Sequence, residues 1–484
     1  PVRVMPAHTA PTTPKGRPMA DLLVDISNAF YSYILVALLL GSGIYFSIRT
    51  KLVQIRLFPE SLRVLREPKD DVESLSSFKA LMISTASRVG TGNIAGVSVA
   101  ITLGGPGAVF WMWVTAVLGG SSAYIESTLA QIYKRRDAKG GSYGGPAYYI
   151  TTALKARWLG VVFACALIVT YMGGFNMVAA YNTIDSFASY DFFTPGTTPL
   201  ILGVLLAAFA AAPIFGGGQR LASVTALLVP FMAIAYLIVG LLVVVTHLEL
   251  VPGMFASIFS EAFDVEAIFG GMAGSALLLG IKRGLYSNEA GVGSAPNAAA
   301  SAGVSHPVKQ GLVQMLSVYI DTLLICSITA FTILASGIAP RPELAGVAYV
   351  QESASTVLGS LGHPFVSLSM VLFAFTTLIG NYYYAEINLR FLCNGEPPRA
   401  VLLGFRMIAV VIVFSGSLLE FTTAWSIADI LMGIMALINI PVILVLGKRA
   451  IRCGRDYSAQ RGEGRNPVFR ADDIGIREHT DFWR

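Results

Sequence analysis

The sequence predicts an all-α polytopic membrane protein, and three observations carry that reading. Of 484 residues 54% are apolar and 13% charged, against roughly a quarter charged in soluble domains. Apolar stretches of the ~20 residues that cross a bilayer recur about eleven times. Lysine and arginine gather in alternate loops, as the positive-inside rule requires.

The spans fall near 29–48, 78–103, 107–132, 158–187, 198–215, 221–247, 265–300, 308–337, 363–391, 400–418 and 424–447. Before them, residues 1–28 read as a flexible extracellular tail. They are polar and proline-rich at their start and lack a signal-peptide core. Segment 49–77 sets Leu52, Ile55, Leu57, Leu62 and Leu65 among Lys51, Arg56, Arg63 and Arg66, the pattern of an amphipathic stretch lying in the interface. Basic residues follow spans 1, 3, 5, 7 and 9 and fill 448–484, which reads as a cytoplasmic tail; Lys282, Arg283 and Lys309 are counted after span 7. The N-terminus is then outside and the C-terminus cytoplasmic, in a plasma (inner) membrane, which an odd number of spans permits. One transmembrane domain, 29–447, accounts for the rest.

Two spans are interrupted. Span 2 contains Arg88-Val89-Gly90-Thr91-Gly92-Asn93, and span 7 contains Phe269-Gly270-Gly271-Met272-Ala273-Gly274-Ser275. Glycine weakens a helix interior by about 1 kcal/mol relative to alanine. Freed peptide groups at membrane depth are tolerated only in protein or at a cavity. Broken helices at matching places in two halves mark the binding site of an inverted-repeat transporter. The core divides into spans 2–6 and 7–11, a five-plus-five repeat with span 1 added.

At such a break, exposed NH groups of Thr91, Gly92 and Asn93 would cradle a substrate carboxylate. Gly90 and Gly92 admit the ligand to the backbone, though small residues also serve close helix packing. Phe269, Gly270, Gly271 and Ser275 would supply the opposite wall. Phe175 in span 4 would cover the substrate side chain. Charges inside a membrane are costly and by default functional: Arg88 in span 2, Asp321 in span 8 and Glu126 in span 3. Arg88 would pair with one of the acids, or Asp321 would hold a cation or an ammonium. For Glu126, near a span end, a static role suffices. Glu289 is placed where span 7 reaches the cytoplasm, as an inner gate to Lys282, Arg283 or a basic loop. Trp111, Trp113, Tyr148 and Tyr149 require only a place in an aromatic belt.

The sequence resembles the alanine or glycine:cation symporter family over most of its length. The matching runs are Arg88-Val-Gly-Thr-Gly-Asn-Ile-Ala-Gly96, Gly104-Gly-Pro-Gly-Ala-Val-Phe-Trp-Met-Trp113, Gly144-Gly-Pro-Ala-Tyr-Tyr149, Gly284-Leu-Tyr-Ser-Asn-Glu-Ala-Gly-Val-Gly-Ser-Ala-Pro296, His306-Pro307 and Phe373-Ala-Phe-Thr-Thr-Leu-Ile-Gly-Asn-Tyr-Tyr-Tyr384. The resemblance implies a leucine-transporter-like fold in the amino acid–polyamine–cation superfamily. It also implies sodium- or proton-driven uptake of small neutral amino acids such as alanine or glycine. It places a sodium ion among carbonyls of Ala86, Val89 and Phe373 and hydroxyls of Thr376 and Thr377. Residue chemistry alone equally lets each threonine bond its own i−4 carbonyl. Span 4 departs from the family pattern, with Ala179 where a glutamine is usual.

Composition narrows the alternatives. There is no G-x-x-x-x-G-K-[ST] loop for a nucleotide. The five histidines sit in tails, loops or span ends, and no cysteine has a metal-site or disulfide partner by spacing, so an intramembrane enzyme lacks its groups. The net charge of +5 follows loop placement and carries no nucleic-acid signal. The expected partners are a small amino acid, sodium and the bilayer. The alternatives on the same scaffold are a proton-coupled transporter and an amino-acid sensor.

Overall fold

The structure, a computed structural model, describes residues 19–69, 73–138, 140–263 and 275–483. Among them, eight helices combine the length and apolarity of a bilayer crossing. They are Gly107–Ile132, Arg157–Asp185, Thr198–Gly216, Gly218–Thr246, Pro307–Ala335, Val347–Leu392, Arg399–Gly416 and Phe421–Gly462, which coincide with expected spans 3–6 and 8–11. The other expected spans are made of shorter pieces: Met19–Phe30, Tyr31–Leu35 and Val36–Arg49; Ser77–Arg88 and Gly92–Gly104; Ala276–Asn288 and Ala295–Ala300.

The broken helices sit at the centre. Every residue named above in span 2 is buried, from Ala86 to Asn93. Helix Ser77–Arg88 packs against Gly218–Thr246, Pro307–Tyr319, Gly362–Leu392 and Ala295–Ala300. The outer layer faces lipid, with Val204, Phe209, Leu227, Phe231, Ile238 and Val411 exposed on spans 5, 6 and 10. In water this surface would be an aggregation liability; in a bilayer it is the solvent-facing side.

Helices approach closely where glycine removes a side chain. A Cβ on Gly280 would lie 2.3 Å from the carbonyl oxygen of Ala108 in span 3. One on Gly380 would lie 2.9 Å from the Ser87 amide, so span 9 touches the backbone of span 2 at its break.

Both ends of the chain differ from the reading above. A helix begins at Met19, so residues 19–28 continue span 1 instead of forming a tail. Buried Ser27, which accepts from Lys282 Nζ at 2.7 Å, ties this turn down. At the other end, Phe421–Gly462 runs past 447 as one helix, and the following segment folds back onto the bundle. The Phe469 amide donates to Ser305 O at 3.0 Å, and Trp483 Nε1 donates to Gln131 O at 2.7 Å. Asp481 pairs with Arg135 at 3.0 Å, and Lys134 Nζ lies 4.5 Å from the Phe482 ring centre. Buried Phe469, Ile476 and Trp483 supply the apolar anchors that the polar composition of this tail concealed.

The segment after span 1 forms two short helices, Val53–Arg56 and Phe58–Val64. They bury Val53 and Val64 and expose Leu52, Ile55 and Leu62, as an interfacial stretch does. Trp111 and Trp113 do more than line a belt. Trp111 Nε1 donates to Ala262 O at 2.9 Å, and Trp113 Nε1 donates to Ser327 Oγ at 2.8 Å.

His306 precedes span 8 as its cap. Its Nδ1 accepts from the Val308 amide at 3.2 Å, and its Nε2 faces Asp456 Oδ2 at 3.1 Å. This geometry takes the neutral ring with the proton on Nε2. Burial holds the imidazole below its ordinary value of 6.5, with Asp456 opposing. A depressed histidine contributes stability above its unfolded pKa and loses it as pH falls through the folded one. Melting temperature should therefore drop between about pH 7.5 and pH 5.5, and His306→Gln should flatten that drop; equal slopes in both proteins would refute the assignment. Gly280→Ala should cost about 1–3 kcal/mol by overpacking, read as a lower melting temperature in detergent. Gly41→Ala, which meets nothing within 4 Å, should be neutral or mildly stabilising.

Candidate substrate and ion site at two broken helices

The first break follows from residues that cannot continue a helix. Helix Ser77–Arg88 ends as Val89 turns to φ −74°, ψ 86°, and Gly92–Gly96 resumes as a π-helical turn. Asn93 bridges the gap. Its Oδ1 accepts from the Gly90 amide at 2.8 Å, while its own amide donates to Gly90 O at 3.2 Å. The side chain so replaces a missing helical bond. Its Nδ2 donates to Asp321 Oδ1 at 2.7 Å.

Asp321 lies in a second π turn, Ile320–Cys326, inside span 8. Its Oδ2 accepts from Ser287 Oγ and Thr322 Oγ1, both at 2.8 Å. Ser287 belongs to the last turn of helix Ala276–Asn288. One buried carboxylate therefore joins the ends of both broken helices. Among the described residues it has no cationic side chain within 4.0 Å.

The second break falls at Glu289–Ser294. Glu289 has φ +53°, and Gly291 and Gly293 have φ +83° and +96°, values that a helix cannot hold. The Glu289 carboxylate accepts from Ser294 Oγ at 2.6 Å and lies 3.1 Å from Ser87 Oγ. Ser87 has one proton, and Asn381 Oδ1 competes for it at 2.6 Å. Asn381 Nδ2 in turn donates to Asn176 Oδ1 at 2.9 Å. The freed peptide of Gly291 is met from outside its helix. Its amide donates to Glu126 Oε1 at 3.3 Å, and its carbonyl accepts from Asn439 Nδ2 at 2.8 Å. Glu126 is fully buried beside the break, six residues before the end of helix Gly107–Ile132.

An aromatic roof lies over the first break. A Cβ on Gly92 would come 2.9 Å from the Tyr286 ring. The Tyr286 ring centre is 4.6 Å from that of Phe175 and 4.7 Å from that of Trp425. The Arg283 guanidinium stacks on Trp425 at 4.5 Å and pairs with Asp429. Lys282 Nζ shares that carboxylate at 3.0 Å. Lys282 and Arg283 are thus buried inside span 7, and they are not loop charges. Removing Asp429 would leave two cations buried without a counter-charge, which is strongly destabilising.

Of the sodium set, Thr377 Oγ1 donates to Ala86 O at 3.1 Å, joining span 9 to span 2. A Cβ on Gly90 would overlap that hydroxyl at 2.2 Å, so the glycine makes room for it. Thr376 turns the other way. Its hydroxyl lies 3.0 Å from Phe373 O and 3.2 Å from Leu372 O within its own helix. Val89 and Thr91 are buried beside them.

Three expectations change. Ser275 caps helix Ala276–Asn288, its Oγ accepting from the Leu278 amide at 3.2 Å. That is about 20 Å along the helix from the break at Glu289, so Ser275 does not join the site. Gly270 and Gly271, with Phe269, lie outside the described residues. Glu289 does not meet Lys282 or Arg283, which bind Asp429, and it stands at the mid-span break because residue 289 turns left-handed. Arg88 is buried and donates from Nη1 to Gln314 O at 3.2 Å. Among the described residues it has no carboxylate within 4.0 Å.

Sequence reasoning passed over Asp429, Tyr286, Trp425, Asn176 and Ser87. Asp429 carried a usable signal, a single acid within the apolar run of span 11. Ala179 packs with Leu206, Ala207 and Phe375 among spans 4, 5 and 9.

The profile of the Sodium:alanine symporter family matches residues 17–471. The amino-acid carrier protein AlsT of Bacillus subtilis is 43% identical over 461 residues, covering 95% of this chain and 97% of that protein. The probable sodium/glutamine symporter GlnT of the same organism is 42% identical over 464 residues, covering 95% of each. Among solved structures, MhsT in complex with L-phenylalanine aligns with a TM-score of 0.55 at 13% identity, over 79% of this chain and 96% of that one. This last likeness concerns the fold alone. The profile match and these identities over nearly the whole chain place it in the sodium:alanine symporter family.

Proposed function

We propose that the protein imports a small neutral amino acid, alanine or glycine, together with sodium by alternating access. The observation that supports this most is the meeting of two broken helices around buried hydrogen-bonding groups, with Thr377 reaching across to Ala86 O. Substrate carboxylate would approach the first break at Gly90, Thr91 and Gly92. Its side chain would lie toward Tyr286, whose ring stands close to Gly92, and toward Phe175 beside that ring.

Sodium takes hard oxygen ligands. Ala86 O and the Thr377 hydroxyl already converge, and Val89 O, Phe373 O and the Thr376 hydroxyl would complete the set after Thr376 rotates. Bound there, the ion would hold span 2 against span 9 and fix the first break for substrate. Arg283 with Asp429 would close the site on the extracellular side. The N-terminus would lie outside and the folded-back C-terminal segment in the cytoplasm. A second reading rests on Asp321, buried with hydroxyl and amide partners only; a proton taken up there would couple transport without sodium.

Reconstituted in liposomes, the protein should accumulate labelled alanine or glycine under an inward sodium gradient, and not with potassium or choline. Thr377→Ala should raise the half-saturating sodium concentration by about tenfold or more, because it removes one oxygen ligand of the ion; tenfold corresponds to about 1.4 kcal/mol. Gly90→Ala should do the same by displacing that hydroxyl, and Thr376→Ala should do less. Uptake indifferent to sodium, driven by a pH gradient and lost in Asp321→Asn, would replace sodium with the proton.

A further inference from the structure

A cavity of about 440 Å³ opens where the end of span 1 meets span 3 and the extended helix of span 11. Its lining includes Arg49, Lys51, Arg56 and Arg455 together with Tyr124 and Ser458, and no carboxylate. A second basic cavity, holding Arg135, Arg136, Arg157 and Arg390, differs because Asp481 lies in its wall and pairs with Arg135. Four cations facing one hollow repel each other, and the described lining gives them no anion. Of the four, Arg49 donates to Tyr45 Oη at 3.1 Å. None of them has a carboxylate within 4.0 Å among the described residues.

The backbone holds this arrangement at a cost. Lys51 and Leu52 have φ of +56° and +53°, the left-handed region that side chains other than glycine rarely adopt. The turn sends the chain from span 1 into helix Val53–Arg56 and sets charge beside apolar surface. Ile48, Leu52 and Ile55 are 68%, 49% and 62% exposed. Cations over a hollow with aliphatic side chains beside it match a phosphate head attached to acyl chains. Basic pockets between transmembrane helices hold anionic head groups in this way.

We propose that this cavity binds the phosphate head group of an anionic phospholipid, with Ile48, Leu52 and Ile55 against its chains. The shared chemistry is the phosphate anion. The exposed aliphatic side chains next in sequence to Arg49, Lys51 and Arg56 assign the lipid over free phosphate. Occupancy would screen the four charges and brace the junction of spans 1, 3 and 11.

The test uses the full chain purified in detergent and depleted of lipid. Thermal unfolding is followed on titration with phosphatidylglycerol, phosphatidylcholine, inorganic phosphate and glycerol 1-phosphate, and bound lipid is counted by native mass spectrometry. Phosphatidylglycerol should raise the melting temperature and phosphatidylcholine should not. Each of Arg49→Gln, Lys51→Gln, Arg56→Gln and Arg455→Gln should weaken that response roughly fivefold, at about the worth of one basic residue near an anionic surface. The combined variant should abolish it. Arg135→Gln/Arg136→Gln, at the other cavity, should leave it unchanged. Lys51→Glu gives a second route should the combined variant fold poorly. An unchanged lipid response in the single variants would overturn the site. An equal response to inorganic phosphate or glycerol 1-phosphate would overturn the lipid assignment.

Discussion

A bilayer interior offers no water to a peptide group, and this chain breaks two helices there. Each loose amide and carbonyl must find a partner inside the protein. Asn93 meets the need at the first break, and Glu126 with Asn439 at the second. The requirement explains much of the surrounding sequence. Asparagines and serines deep in spans 2, 4, 9 and 11 are costly in hydrocarbon unless bonded, and here Ser87, Asn176, Asn381 and Asn439 bond to one another or to the breaks. Asp321 is one point at which the two systems join, and Ser87 with Glu289 is another. The Asp321 oxygens accept from Asn93 on one side and Ser287 on the other, so movement at one break is felt at the other.

The helices around the site carry another signature. Three π turns, Gly92–Gly96, Val169–Phe175 and Ile320–Cys326, lie on three elements around the site. Such wide turns interrupt regular helices and concentrate where function needs a displaced side chain or carbonyl. One carries Asn93, another Asp321, and the third ends at Phe175.

Much of this was legible in the sequence. The first break was found where it lies because Gly90-Thr91-Gly92-Asn93 inside an apolar run has no helical explanation. The glycine run at 269–274, which marked an interruption in span 7, lies outside the described residues. The break that is described in this span depends on left-handed backbone at Glu289, Gly291 and Gly293, which composition alone does not reveal. Lys282 and Arg283 counted as loop charges because their partner, Asp429, is remote in sequence. Thr376 and Thr377 were inseparable by pattern. Only packing shows that one hydroxyl faces span 2 and the other its own helix.

The folded-back C-terminal segment has a mechanical consequence. Trp483 holds the carbonyl of Gln131, and the Gln131 amide holds the carbonyls of Ala299 and Ala302 at 2.5 and 2.9 Å. Helix Ala295–Ala300 is the second half of span 7. If that half swings, it must drag the C-terminal segment and the end of span 3 with it or tear free of both. The C-terminal segment is in series with that half-helix, and force on one is transmitted to the other.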